Sequence, residues 1–419
     1  NGGLLNNTHE SDRLHDEMRQ LDNTYPQLLN QAGYRMGYVG KWHVGIQRSP
    51  LEWGYHDYVP QARHGQYLRE HGYPFPHDAL ADAAPLAPPN YRNPYHARYE
   101  GPVEATVHHF LVDQAIALLR RYAHEHRRTG RPFHLRLDFG PPHYPHILPE
   151  PYASMYDPAK IPPWPNFGDS FEAKPYANRK LRDEWAVTGV GWDFWAPLVA
   201  RYWGDCTLLD HQIGRLLNEL DALGLTEQTA VIFTTDHGDL TGSHGLFNKG
   251  PVPYEEIYRI PLLIRYPGLA RPGSTCQAFV HLFDLMPTLL EMAGVAPPPD
   301  LDGRSLLPLL QGEQPADWPE DIFCTYHANE LGLYSQRILR TRHWKFVYNV
   351  PDMNELYDLQ ADPHELHNLI DQPAYAGTQR ALAERLLERM RQARDPLARW
   401  APAGLGLIRQ LGQQAADSG

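Results

Sequence analysis

Short apolar runs and stretches with helical signals alternate along the first three quarters of the chain. Runs of β-favouring residues predict strands at 35–39, 133–139, 230–235 and 260–266. Helical spacing of apolar residues, or N-cap and glycine end signals, predict helices at 24–33, 103–126, 200–223 and 287–293. This order predicts an α/β fold with a mostly parallel central sheet and helices on both faces.

The character of the chain changes after about residue 315. Residues 336–342 and 345–349 are typical of a hairpin, 355–359 of a short strand, and 378–394 of an amphipathic helix. We therefore expect two units, an α/β domain at 1–315 and a smaller α+β subdomain with a short antiparallel sheet at 316–419. Residues 51–101 and 146–198 are rich in proline and aromatic residues and lack periodicity, which predicts two long surface excursions.

Composition narrows the classes of partner and the chemistry of the cysteines. The net charge of −12 argues against nucleic acid or an anionic membrane as the main partner. No apolar run approaches the about 18–20 residues of a membrane span. The three cysteines, Cys206, Cys276 and Cys324, are far apart, which argues against a disulfide framework or a zinc site and favours buried, inert thiols. The first residues have no signal-peptide pattern and no starting methionine, so the compartment stays open.

Polar residues that could bind a metal or take part in catalysis follow three of the predicted strands. Lys41 and His43 come after the first, His143 after the second, and Asp236-His237 after the third. Ligands of α/β sheets sit beyond the carboxyl ends of the strands, so these residues should approach one another. A carboxylate beside an imidazole can hold a divalent metal, and lysines can neutralise an oxyanion. This set suits hydrolysis of a sulfate or phosphate ester, although Asp-His-Gly is also typical of a simple strand-ending turn.

Several short motifs occur along the chain in an order that is typical of one family. They are Gly40-Lys41-Trp42-His43, Pro142-His143-Tyr144-Pro145, Asp236-His237-Gly238 with Lys249, Tyr254-Glu255-Glu256, Arg259-Ile260-Pro261-Leu262, Asp284 to Leu290, and Glu355 to Leu359. From about residue 25 to 369 the chain thereby resembles the type I sulfatase family of the alkaline-phosphatase-like superfamily.

The resemblance implies roles for individual residues. Asp236 and His237 would be half of a metal site, most often for Ca²⁺, with Mn²⁺ or Zn²⁺ as alternatives. Lys41 and Lys249 would neutralise sulfate oxygens. His143 would bind substrate and, with Lys249, help to protonate the leaving oxygen, and His43 would be the base that releases sulfate.

Four further residues, although outside direct contact with substrate, would orient the groups that touch it. They are His244, Tyr254, Glu255 and Arg259.

One family segment is missing from the printed sequence. Family members carry two acidic metal ligands on an early strand and a Cys- or Ser-x-Pro/Ala-x-Arg segment whose Cys or Ser becomes formylglycine, the nucleophile. No cysteine or serine of this chain fits that pattern. We therefore expect a fragment that lacks an N-terminal part of the protein and that has no measurable sulfatase activity alone.

The resemblance implies a sulfuric ester hydrolase that acts on a small-molecule or saccharide sulfate ester. Two alternatives stay open: a phosphonate monoester or phosphodiester hydrolase of the same superfamily, and a non-catalytic member that binds anions. The sequence makes no prediction about the oligomeric state.

Overall fold

The computed structural model describes residues 23–44, 48–84, 94–327 and 334–407. Its strands are β1 Arg35–Gly40, β2 Asp57–Pro60, β3 Leu80–Ala81, β4 His96–Tyr99, β5 Phe133–Asp138, β6 His146–Leu148, β7 Val231–Thr234, β8 Leu262–Arg265, β9 Asp321–His327, β10 Ser335–Thr341, β11 Trp344–Val350 and β12 Glu355–Asp358. Its α-helices are α1 Tyr25–Gln31, α2 His64–His71, α3 Val107–Thr129, α4 Tyr176–Glu184, α5 Trp192–Ala222, α6 Glu255–Tyr258, α7 Leu285–Met292, α8 Leu307–Gln311, α9 Ala376–Gln392 and α10 Ala401–Gly404.

Strand β1 lies at the centre of a parallel sheet of order β2-β1-β5. Its residues alternate between two covered faces: Met36 and Tyr38 pack with Leu29 of α1, whereas Val39 packs against α3. Burial on both faces explains why the strand is almost continuously buried. The predicted α/β class, with a parallel sheet between helices, is confirmed.

Strands β7 and β8 form a separate antiparallel pair. Val231 of β7 nevertheless packs in the same apolar cluster as Phe133 and Leu135 of β5, under helices α3 and α5. The two sheets therefore share one helix layer, and the carboxyl ends of β5 and β7 belong to one face of the molecule. The antiparallel direction of β8 was not evident from its apolar run, because a short run carries no directional signal.

The two predicted excursions contain more regular structure than expected. Residues 51–101 include β2, which is part of the central sheet, and α2. The long helix α5 begins at Trp192, eight residues before its predicted start at 200 and upstream of Pro197. Proline inside a helix normally ends or kinks it, and for that reason the sequence pattern placed the start too late.

The C-terminal strands form an antiparallel sheet of order β12-β11-β10-β9, as the hairpin signals predicted. Helix α9 covers one face through Leu386 and Met390, which pack against Leu339, Phe346 and Leu356. Strand β9 was not predicted. The division into two units at residue 315 remains a prediction.

The cysteines only partly match the expectation of buried thiols. Cys276 is exposed, so the expectation is wrong for this residue, which lies in an irregular segment between β8 and α7. Burial raises the pKa of both Cys206 and Cys324 to about 12, which keeps these thiols protonated and unreactive. Across the described ranges, no helix is both long and apolar enough to span a bilayer.

Candidate active site

The loop after β1 is positioned by a close backbone approach to β5. Gly40 has φ +119°, and a Cβ there would lie 1.8 Å from the carbonyl oxygen of Asp138. Only glycine fits this position. The following amide, that of Lys41, donates to the same carbonyl at 3.0 Å. The Tyr38 hydroxyl lies 2.7 Å from the Lys41 carbonyl and 2.5 Å from the Asp138 carboxylate, which ties the two strand ends together.

Lys249 and His143 form the central pair of the site. Lys249 Nζ lies 3.2 Å from Nε2 of His143, and Nδ1 of His143 lies 3.0 Å from the Tyr144 carbonyl. Because that carbonyl can only accept, Nδ1 carries the proton, and Nε2 accepts from the lysine. Burial, with Lys249 and then Lys41 as further causes, lowers the pKa of His143 to about 4.

Lys41 belongs to the same electrostatic cluster. Burial lowers its pKa, and the positive charge of Lys249 lowers it further, whereas Asp236 raises it. Two lysines of like charge in one cluster are a favourable arrangement for an anion, since a bound negative charge would relieve the repulsion that Lys41 experiences from Lys249.

Asp236 and His237 sit at the mouth of this cluster. The side chain of Asp236 is 83% exposed and that of His237 is 24% exposed, with 3.7 Å between Oδ2 and Nε2. His237 Nδ1 lies 2.8 Å from the Gly238 carbonyl, so Nε2 keeps a lone pair for a ligand. The His237 and His143 rings are 6.0 Å apart.

These donors fit part of a metal site. The carboxylate of Asp236 suits Ca²⁺, which prefers oxygen ligands, whereas the imidazole nitrogen of His237 also suits Mn²⁺ or Zn²⁺. Within the described ranges, no group of three or more His, Cys, Asp or Glu side chains converges on one point. Among the described residues, the candidate metal donors at this point are Asp236 and His237.

The loop from Asp239 to Lys249 is buried and held by its own backbone. Leu240 donates to the Asn248 carbonyl at 2.8 Å, and Gly238 donates to the Ile257 carbonyl at 2.9 Å. A Cβ on Gly238 would lie 1.8 Å from the carbonyl oxygen of Glu256, so this position also requires glycine. Three non-glycine residues of the loop adopt positive φ: Thr241 (40°), His244 (55°) and Asn248 (60°).

His244 anchors that loop to a buried acid. Its ring stacks on Tyr254 with centroids 3.6 Å apart, and its Nδ1 lies 2.7 Å from the Asp169 carboxylate. Lys174 donates to the same carboxylate at 2.6 Å and to the Tyr254 hydroxyl at 3.1 Å. All four of these side chains are buried: Asp169, Lys174, His244 and Tyr254. The loop that carries Lys249 is therefore held in place, through His244, by an ion pair removed from water.

A second ion cluster ties the region to the C-terminal sheet. Glu255 lies 2.9 Å from Lys345 and 3.1 Å from Arg340, and its amide donates to Glu365 at 2.9 Å. Burial alone would raise the pKa of Glu255, but Lys345 and Arg340 outweigh it and bring the pKa to about 2. Lys174 also donates to the Glu365 carbonyl, which connects the two clusters.

The remaining sequence candidates lie at the surface. His43 is exposed on the loop after β1, two residues from Lys41, and Arg259 is exposed at the end of α6. The sequence reasoning missed Asp169, Lys174 and Lys345. Lys174 and Lys345 are two of only six lysines in the chain, and that scarcity is the one signal that could have drawn attention to them.

Comparison with known proteins decides the family. The model of the sulfatase family matches residues 2–295, and the model described as N-sulphoglucosamine sulphohydrolase, C-terminal, matches residues 242–392. The chain belongs to the sulfatase family. It is a sulfuric ester hydrolase of the alkaline-phosphatase-like superfamily, as the ordered motifs predicted. Sulfatases in general use a divalent metal and a formylglycine nucleophile.

Individual relatives agree with this membership. An N-acetylglucosamine-6-O-sulfatase of Bacteroides thetaiotaomicron is 28% identical over 436 residues, which cover 89% of this chain and 73% of the relative. An arylsulfatase of Clostridium perfringens is 34% identical over 271 residues, which cover 64% of this chain and 54% of the relative. The solved phosphonate monoester hydrolase of Silicibacter pomeroyi is 26% identical with a TM-score of 0.73, over 90% of this chain and 81% of that structure.

Proposed function

We propose that this sulfatase binds the sulfate group of its substrate between Lys41, Lys249 and His143. The observation that carries the proposal is the 3.2 Å contact between Lys249 Nζ and His143 Nε2, close to a second lysine, Lys41, that adds positive charge. The two lysines would neutralise charge that develops on the sulfate oxygens.

The assigned tautomer suggests which residue holds the transferable proton. With a pKa of about 4, His143 is neutral near pH 7, and its single proton is on Nδ1, bonded to Tyr144. The proton between the two residues therefore belongs to the Lys249 ammonium. In this proposal Lys249 donates toward the leaving oxygen while His143 holds the lysine in position, which refines the shared role that the sequence suggested.

Asp236 and His237 would hold the divalent metal, for which Ca²⁺ is our proposal. When bound, the metal supplies positive charge to the sulfate and to the formylglycine nucleophile of the family. His43 would act as the base that releases sulfate, since it follows Lys41 on the same loop. His244, Tyr254, Glu255 and Arg259 would support the substrate-binding residues; for the first three, the buried contacts described above favour this role.

For the substrate, we propose a saccharide or other small-molecule sulfate ester. Support comes from the relative named an N-acetylglucosamine-6-O-sulfatase, which aligns with 89% of this chain. A phosphonate monoester is the second candidate, favoured by the similarity to the phosphonate monoester hydrolase. Parallel turnover assays with the longest form that the gene encodes separate the two. Phosphonate turnover about tenfold faster, equal to about 1.4 kcal/mol in barrier, would reject the sulfate ester.

Sulfate binding tests the site itself and requires no nucleophile. We expect titration of the 419-residue chain with sodium sulfate, followed by calorimetry, to give saturable binding. Replacing Lys41 or Lys249 by Met should weaken that binding at least about tenfold, because each removes one charge-assisted contact. Lys180→Met is the matched control, since the Lys180 side chain is 40% exposed and forms an ion pair with Glu184 on the same helix. Equal affinity in all variants would refute the proposal.

A further inference from the structure

A cavity opens beside the loop that carries Lys249, and its lining differs in chemical character from the sulfate-binding residues. It has a volume of about 330 Å³ and is walled by the rings of Trp164, Tyr202 and Trp203. The Trp164 indole N–H donates to the Thr241 carbonyl at 2.9 Å. This bond fixes one aromatic wall to the loop that carries Lys249.

The formal charges in the lining of this aromatic cavity are two carboxylates, those of Asp239 and Glu256, and the lining also includes the imidazole of His364. Its described lining residues include neither lysine nor arginine. Asp239 receives two hydrogen bonds from Thr241, at 3.0 and 2.7 Å, both on Oδ1. Glu256 accepts from the Asn166 amide at 2.8 Å through Oε1. These partners are neutral, so they orient the carboxylates without cancelling their charge.

Aromatic rings and carboxylates together favour one kind of ligand. The face of an indole or phenol ring attracts an ammonium group, and the attraction grows when the cation is desolvated. A carboxylate with a neutral partner adds a direct charge interaction. A neutral ligand keeps the apolar contact and can donate a hydrogen bond to a carboxylate, but it lacks the attraction between opposite charges and the cation–π contact.

The aromatic cavity is close enough to the sulfate-binding residues to act on the same molecule. Asp239 follows His237 by two residues, and its negative charge raises the pKa of His143 against the effect of the lysines. The site therefore has two poles, a cationic one at Lys41 and Lys249 and an anionic, aromatic one at the cavity.

We propose that the aromatic cavity binds an ammonium group on the substrate, so that the preferred sulfate ester carries a positive charge on its alcohol portion. The ammonium is either primary, as on an amino sugar, or quaternary, and the shared chemistry is the cation. This inference rests on the proposed function for the sulfate pole and adds recognition at the opposite pole.

The test uses two matched pairs of sulfate-free probes and the 419-residue chain. Protonated glucosamine is compared with neutral N-acetylglucosamine, and choline with 3,3-dimethylbutan-1-ol, its neutral isostere, by ligand-observed NMR titration. We expect at least one cation to bind at least tenfold more tightly than its neutral match, and the pair with the larger ratio identifies the source. Glu256→Gln, which keeps an acceptor for Asn166, should reduce cation binding at least fivefold. Glu172→Gln, at an exposed position, should not change it.

A second variant guards against an indirect effect of Glu256→Gln. Trp203→Leu should also weaken cation binding at least fivefold, and thermal unfolding establishes that both variants are folded. Equal binding of cations and neutral matches, or cation binding unchanged in both folded variants, overturns the inference. If cations bind but sulfate does not, the proposed sulfate site fails while the cation cavity stands. If sulfate binds but no cation does, the cation cavity fails while the proposed sulfate site stands.

Discussion

Replacing Lys249 by Met should raise the pKa of His143. The pKa is about 4 against an ordinary value of 6.5, and at about 1.4 kcal/mol per pH unit this disfavours the imidazolium by roughly 3 kcal/mol. Burial is the largest cause and Lys249 the second. Two unit charges about 4 Å apart interact by at most ~4 kcal/mol at an effective dielectric constant of about 20. We assign about 1.4 kcal/mol to Lys249, so the variant should shift the pKa upward by about one unit.

The assay is an NMR titration of the His143 ring in protein with isotope-labelled histidine. Lys160→Met is the control, because the Lys160 side chain is 83% exposed and forms an ion pair with Asp157. The effect of pH on the free energy of unfolding follows from the pKa of His143 in the folded chain and its ordinary value in the unfolded chain. The unfolded chain binds more protons than the folded chain between pH 6.5 and about 4, so the contribution of neutral His143 is complete above 6.5 and is lost as the pH falls toward 4. Because Lys249→Met raises the pKa of His143 in the folded chain, it should narrow the pH range over which this stability is lost. An unchanged His143 pKa in Lys249→Met would refute the electrostatic coupling.

Three further outcomes are expected. Gly238→Ala should lower the free energy of unfolding by about 2–3 kcal/mol or more, because the new Cβ would lie 1.8 Å from a backbone oxygen. Its control, Gly214→Ala, lies in helix α5 with open space around it and should raise the free energy of unfolding by about 0.5–1 kcal/mol. Urea unfolding measures both variants, and equal effects would contradict the packing argument. Asp169→Asn should cost about 3–5 kcal/mol, since it leaves Lys174 buried without a carboxylate; a loss below about 1 kcal/mol in urea unfolding would speak against the buried pair. The 419-residue chain should show no sulfatase turnover, because no Cys- or Ser-x-Pro/Ala-x-Arg segment is present; turnover that disappears in Lys249→Ala would overturn this expectation.

The strand-end residues of the site could be predicted because their signals are local. Lys41, His143 and Asp236 each follow a short apolar run and a turn signal, and parallel strands bring such ends together. The structure brings Lys41, His143, Lys249 and the Asp236–His237 pair into one cluster. Their catalytic and metal-binding roles remain proposals.

The support beneath the site could not be predicted in this way. Lys174 and Glu365 are separated by 191 residues, and no periodicity relates positions so far apart. Strand β2 was missed for a different reason: it has only four residues and ends at Pro60, a residue that cannot donate to the ladder and lowers the strand signal. Long-range ion pairs and short edge strands are decided by tertiary packing, which a single sequence does not display.

The contact between Lys174 and the Glu365 carbonyl also orders events in time. A growing chain releases residues at about 5–20 per second, so the 191 residues between these partners take about 10–40 s to appear. Asp169 and Lys174 are made before that interval and His244 within it, whereas Lys345 and Glu365 come at its end. The loop that carries Lys249 therefore receives its full support only after residue 365 has been made, which is later than the strands of the parallel sheet.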